Sequence, residues 1–253
     1  MDCFHTLLEL KVLPYYNGIM ERVSIIEGVH PVILVAPHGA AADDYNTDII
    51  TETCAQALNC YAVINRGWER AEEVDYFKDK ANCNDVKHCL EDVVKDEFLD
   101  PIIRFKNRIR KKHSYAYMFT IHGVGNDIRS KANDADINMV VGYGAGTPAS
   151  HTCKMWMKDF FIYLMRQVDI KAYGGKAGGQ YAGWAKNNLN QLFCKWPKYA
   201  DDSLHSMQLE FIRTIRDTKA DAEFTGNILA VVLEDLLKHG KWTAPQGFKI
   251  NEV

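Results

Sequence analysis

The sequence has no Gly-x-Ser-x-Gly elbow, no Cys-x-x-Cys pair, no excess of one charge sign and no apolar run near the roughly 18 residues that span a bilayer. Each absence removes a class of function. Without the elbow there is no signature of an α/β serine hydrolase, and no cysteine stands in a recognisable nucleophile context. The seven cysteines, Cys3, Cys54, Cys60, Cys83, Cys89, Cys153 and Cys194, are odd in number and scattered. That pattern argues for reduced thiols in a cytoplasmic setting, against a disulfide framework or a thiolate zinc site. Lys plus Arg (30) nearly balance Asp plus Glu (33), for a formal charge of -3, so no global field points to nucleic acid or to an anionic membrane. The basic run from Lys106 to Lys112 lies on a predicted helix and reads as a solvated face. The opening Met1-Asp2-Cys3-Phe4-His5 has neither a basic n-region nor an apolar h-region, and predicts neither export nor membrane insertion.

What is present is an ordinary globular composition, 253 residues with 47% hydrophobic content, enough for one large core and a single domain over 1–253. Val29 to Ala36 is a continuous β-branched run, the pattern of a strand buried on both faces. Thr47 to Leu58 follows as a helix with Ile50, Cys54 and Leu58 along one face and Thr47 or Asp44 as N-cap, and Tyr61 to Ile64 is a second strand. Beyond a polar loop from Asp75 to Lys87, a helical stretch covers about Leu90 to Lys112. Further strands are expected at Tyr117–Ile121, Asn138–Val141 and Met207–Phe211, and helices at His151–Gln167 and Asn227–His239. This alternation predicts one three-layer α/β/α domain around a mostly parallel or mixed sheet.

In open parallel sheets the ligand crevice lies beyond the carboxyl ends of the strands, and two such ends run into a His-Gly pair, Pro37-His38-Gly39 and Ile121-His122-Gly123. A histidine there suits a metal ligand, and the acidic cluster Asp43, Asp44 and Asp48 can add an oxygen donor. Two imidazoles and one carboxylate leave a fourth position open, the arrangement of catalytic zinc. Asp44-x-Asn46-x-Asp48 opens like a calcium loop but fails further on, with Ile49 and Ala55 where the glycine and the bidentate glutamate belong. Glu210 sits in the apolar setting Met207-Gln208-Leu209-Glu210-Phe211, where a carboxylate is costly to bury. Catalysis as a general base explains it, as does a salt bridge to Arg213 or Arg66. His205 reads as structural or substrate-facing, not as a third imidazole ligand. Arg66, after the second strand, offers a guanidinium to a substrate carboxylate or to a surface ion pair. Gly174 to Tyr181 is too flexible for a helix and is an active-site or surface loop. The aromatics Tyr173, Tyr181, Trp184, Phe193, Trp196 and Tyr199 are expected in the core.

These residues resemble the N-formylglutamate amidohydrolases, whose fold is zinc-carboxypeptidase-like. The resemblance rests on Pro37-His38-Gly39, Thr47-Asp48 entering a helix, Ile121-His122-Gly123, Gly178-Gly179-Gln180-Tyr181 and the block His205-Ser206-Met207-Gln208-Leu209-Glu210, spanning roughly residues 30 to 215. It implies zinc ligands at His38, Asp48 and His122, with Asp44 the alternative to Asp48, and Glu210 as general base and acid. The carboxypeptidase spacing H-x-x-E is not kept, since Ala41 stands at its acidic position, a departure that fits the formylglutamate branch. An arginine-rich stretch near the Gly-Gly-Tyr block is also missing; Gln180 to Lys186 offers only Lys186, which points to a differently shaped or less acidic substrate. Substrate contacts are therefore expected from Arg66, Tyr181 and Lys186. The implied activity is zinc-dependent hydrolysis of a linear amide, an N-acyl or N-formyl amino acid or a short peptide. A non-catalytic member of the fold that binds a ligand or partner is the alternative.

Overall fold

The computed structural model describes residues 23–39, 44–66, 82–129 and 136–239. Seven strands form one sheet: β1 (Val23–Ile26), β2 (His30–Ala36), β3 (Cys60–Asn65), β4 (Ala116–Val124), β5 (Met139–Gly142), β6 (Ala172–Gly174) and β7 (Leu204–Ile212), in the order β1-β3-β2-β4-β7-β5-β6. The central strands β3, β2, β4 and β7 run parallel, while β1 against β3 and β5 against β7 are antiparallel, so the sheet is mixed.

Alternation along the strands divides two cores. Val32, Leu34, Tyr117, Phe119, Ile121, Met207 and Leu209 face helices α1 (Thr47–Leu58), α3 (Met155–Gln167) and α5 (Lys219–His239). Ile33, Val35, Val63 and Met118 face α2 (Asp100–Arg110) and α4 (Leu189–Lys195). Helices on both sides make the three-layer α/β arrangement expected from the sequence. Among the described residues, no helix is long and apolar enough to cross a membrane.

The predicted helix over Leu90–Lys112 is broken. Val86–Cys89 and Asp92–Val94 are short turns, Lys95–Leu99 is π-helical, and α2 begins at Asp100 with Pro101 in its first turn, where a missing N–H costs nothing. Ile102, Phe105 and Ile109 of α2 are buried while its basic residues lie outward, the solvated face expected of Lys106 to Lys112. Part of the expected polar loop, residues 75–81, lies outside the described residues, as do Ala41 and Asp43. Neither Thr47 nor Asp44 caps α1: the preceding residue is Asn46, left-handed at φ 65°, whose side chain makes no cap bond.

Strands β2, β4 and β7 lie side by side and parallel, so their carboxyl ends share one edge. His38 follows β2, while His122 and Glu210 are register partners in β4 and β7. Thr120, His122, Gln208 and Glu210 alternate away from the α1/α3/α5 core, which leaves a buried polar strip on the opposite face.

Candidate metal centre and active-site cleft

At that edge opens a cleft of about 650 Å³, lined by His38, Asp44, His122, Glu210 and Arg216 together with Tyr181 and several side-chain amides. Asp44 Oδ2 lies 3.2 Å from His38 Nδ1 and 3.3 Å from His122 Nδ1. The two rings meet edge to face with centroids 5.0 Å apart. All three residues are buried, and one donor atom from each falls within 4.8 Å of the others, a group able to hold a metal ion.

The proton positions on His38 are constrained from both sides. Its Nε2 lies 2.6 Å from Asn82 Oδ1, an acceptor, so Nε2 carries the hydrogen and donates it. In the neutral ring, Nδ1 then presents a lone pair to the Asp44 carboxylate. Two electron-rich atoms at 3.2 Å require positive charge, from an imidazolium proton or from a cation between them. His122 Nε2 is buried with no hydrogen-bond partner among the described residues. Mixed nitrogen and oxygen donors, an outer amide that fixes one ring and an orphaned imidazole nitrogen together fit a divalent ion of the zinc type.

Electrostatics separates the two carboxylates. Burial alone would push the Asp44 carboxyl up, but hydrogen bonds to His122 and His38 and their charge outweigh it and hold it well below the usual carboxylate range. Burial and then the charge of Asp44 drive Glu210 well above its ordinary value, against a smaller opposing pull from Gln208 and Arg216. Burial lowers His122 below its usual value against the pull of Asp44. Glu210 Oε1 accepts from Gln208 Nε2 at 2.6 Å, Gln208 Oε1 accepts from Asn188 Nδ2 at 2.6 Å, and Asn190 Nδ2 donates to both Asn188 Oδ1 and Thr120 Oγ1 at 3.0 Å. A chain of buried amides thus fixes the rotamer of Glu210. Among the described residues no salt bridge to Glu210 forms; the guanidinium of Arg213 goes to Asp217.

The remaining sequence candidates divide. Tyr181 lines the cleft. Asp48 is not in the histidine group: its Oδ2 accepts from Arg66 Nη1 at 2.9 Å, and Arg66 also donates to Glu52 at 2.6 Å and to Ser24 at 2.7 Å. Arg66 therefore ties α1 to the β1–β3 edge and lies outside the cleft. Lys186 is exposed and does not line it either. His205, at the far end of β7, is buried and its imidazole is driven down to about 4, largely by burial. Phe193, Trp196 and Tyr199 pack in the α2/α4 core, and Tyr173 in a small cluster with Tyr181; Trp184 is exposed. Burial raises the thiols of Cys54, Cys60, Cys83, Cys89 and Cys153, which keeps them protonated and poor nucleophiles. Sequence reasoning missed Asn82, Asn188, Gln208 and Arg216. Gln208 alone was legible, since position i−2 on a strand shares the face of Glu210.

Neither a family model nor a curated protein matches the chain. Solved structures do. N-formylglutamate amidohydrolase from Ralstonia eutropha JMP134 superposes with a TM-score of 0.58 over 87% of this chain and 100% of that one, at 12% identity. The chain shares the α/β fold of that structure. A gene product from Agrobacterium tumefaciens matches with a TM-score of 0.57 over 86% of this chain and 95% of its own, at 11% identity. A bacteriophage poly-gamma-glutamate hydrolase gives 0.53 over 88% and 93%, also at 11%. The resemblance read from the two His-Gly pairs and the late strand thus extends to the architecture that carries them. In this chain the cleft lies at the carboxyl edge of β2, β4 and β7.

Proposed function

We propose that this protein is a metal-dependent hydrolase of linear amide bonds, with zinc held by His38, Asp44 and His122 and with Glu210 as general base and acid. The observation that carries the reading is the Asp44 oxygen 3.2 and 3.3 Å from two imidazole nitrogens, in the same buried cleft floor as Glu210. Asp44 takes the third position here because Asp48 is engaged by Arg66. A zinc ion bound there supplies Lewis acidity, lowering the pKa of water toward neutrality and polarising the scissile carbonyl. Asn82 holds His38 in the tautomer that leaves Nδ1 as a donor atom. Glu210, its carboxyl raised by burial, would take a proton from the attacking water and return it to the leaving nitrogen. Gln208 keeps the accepting carboxylate turned into the cleft. Arg213, which lines the cleft, is more than half exposed and pairs through Nε with Asp217, would offer its remaining donors to a substrate carboxylate, and Tyr181 lines the same cleft.

The experiment is metal content on purified wild type, His38→Ala and His122→Ala, beside hydrolysis of a panel of N-acyl amino acids and short peptides. Near-stoichiometric zinc in the wild type, lost in both folded variants, together with turnover on the panel, is expected. Folded wild type that takes no zinc when supplied overturns the mechanism. Zinc without turnover anywhere in the panel makes a ligand-binding member of the fold the better account.

A further inference from the structure

The three segments that carry Asp44, His122 and Glu210 are tied together at the cleft by one side chain. Arg216 is only 1% exposed. Its Nε donates to Phe211 O at 3.1 Å, its Nη1 to Tyr45 O at 2.5 Å and its Nη2 to Val124 O at 3.4 Å. Phe211 directly follows Glu210, Tyr45 directly follows Asp44, and Val124 stands two residues after His122. The tie is returned from the other side, because Asn46 Nδ2 donates to Arg216 O at 2.8 Å and to Asp217 O at 3.3 Å. Gly123 makes room: a Cβ there would stand 2.3 Å from the guanidinium.

We infer that Arg216, with Asn46 and Gly123, is a positioning clamp that sets the Asp44 carboxylate between His38 and His122. The inference rests on the metal-centre reading of those three residues. A planar guanidinium with donors in a fixed fork can hold three carbonyls of separate segments at once, whereas an ammonium acts as a point charge and cannot. Each of the three guanidinium nitrogens thus gives a hydrogen to a backbone carbonyl. Asp44 precedes the first turn of α1 and lies in no strand; Thr47 N donates to its carbonyl at 3.0 Å, and the bonds made at Tyr45 and Asn46 fix the segment against the sheet. Outer partners of this kind govern how tightly a site binds its ion.

The test uses the full chain as wild type, Asn46→Gly, Arg216→Lys and Phe161→Leu. Asn46→Gly keeps the left-handed backbone and removes only the side-chain bonds; Phe161→Leu is a remote core change that lowers Tm without touching the clamp. Cobalt affinity by chelator competition, the visible cobalt spectrum and deuterium uptake of residues 44–50 are measured on each, with circular dichroism to check folding. Both clamp variants are expected to bind cobalt roughly 10–100-fold more weakly, with an altered spectrum and faster uptake at 44–50, while Phe161→Leu stays at wild type in all three. If Arg216→Lys does not fold, Asn46→Gly decides. Wild-type affinity and wild-type uptake in folded Asn46→Gly overturn the clamp. A wild type that takes no cobalt overturns the metal reading instead, and uptake at 44–50 alone then decides the clamp.

Discussion

Strands β4 and β7 bury a histidine at each end of their shared ladder, and the two ends behave differently. At the carboxyl end His122 stands in register with Glu210; at the amino end Tyr117 stands in register with His205. Both imidazoles are shifted down by burial. Around His205 the charge of Lys154 adds to that fall, and the ring is tilted against Tyr117 at 6.2 Å. Around His122 the hydrogen bond and charge of Asp44 oppose it, and groups from β2, the 44–46 segment and β7 converge. A buried histidine is therefore no signature of a site. Convergence of polar groups from separate segments is, because the chain tolerates the cost of burying them only where they serve one another or a ligand.

The sharpest way to separate the ends is Glu210→Gln, which preserves shape and hydrogen bonding but cannot take a proton. Turnover is expected to fall about 10²–10⁴-fold with zinc content unchanged, and retained turnover would break the assignment of chemistry to this end. Next, Asp44→Asn should weaken metal binding by more than the roughly 10–100-fold that loss of an outer partner costs, while Asp48→Asn leaves affinity within a few-fold and lowers Tm by releasing Arg66. Equal effects of the two on metal affinity would contradict the choice of Asp44.

The amino end should instead register in stability. His205 has its folded value at about 4, below the ordinary 6.5, so folding favours its neutral form. The stability this contributes is fully present above about 6.5 and is lost as pH falls toward 4. Urea unfolding between those pH values should cost the wild type on the order of 2 kcal/mol more than His205→Gln. Parallel pH profiles would remove His205 as the cause. The smallest effect is expected at the Lys106–Asp201 pair beside the start of β7, 3.0 Å long and part-exposed, where Lys106→Gln should change unfolding free energy by about 1 kcal/mol or less.

Much of this architecture was legible because it follows from periodicity. The helix Thr47–Leu58 falls where Ile50, Cys54 and Leu58 require it, and β2, β4 and β7 extend the apolar runs that announce them. What escaped are elements too short to show a period: the edge strands Val23–Ile26 and Ala172–Gly174 and the helix Leu189–Lys195, whose Asn190 and Gln191 are buried for their hydrogen bonds. The histidines were visible because strand ends precede them. The choice between Asp44 and Asp48 was not, since they stand one helical turn apart and only the positions of Arg66 and the second histidine separate them. Asn82 and Arg216 lie in polar, aperiodic sequence, and their roles depend on contacts across 44 and 171 residues of chain.

The place of β7 in the sheet also couples distant parts of the chain. It pairs with β4 on one side and β5 on the other, both of which precede it in the chain by more than 60 residues. Among the described residues, β7 is the strand that joins β1-β3-β2-β4 to β5-β6. The same strand brings Glu210, and the turn after it brings Arg216. One strand therefore both joins the two parts of the sheet and supplies the carboxylate of the cleft, so a change that loosens β7 is felt in the fold and in the site together.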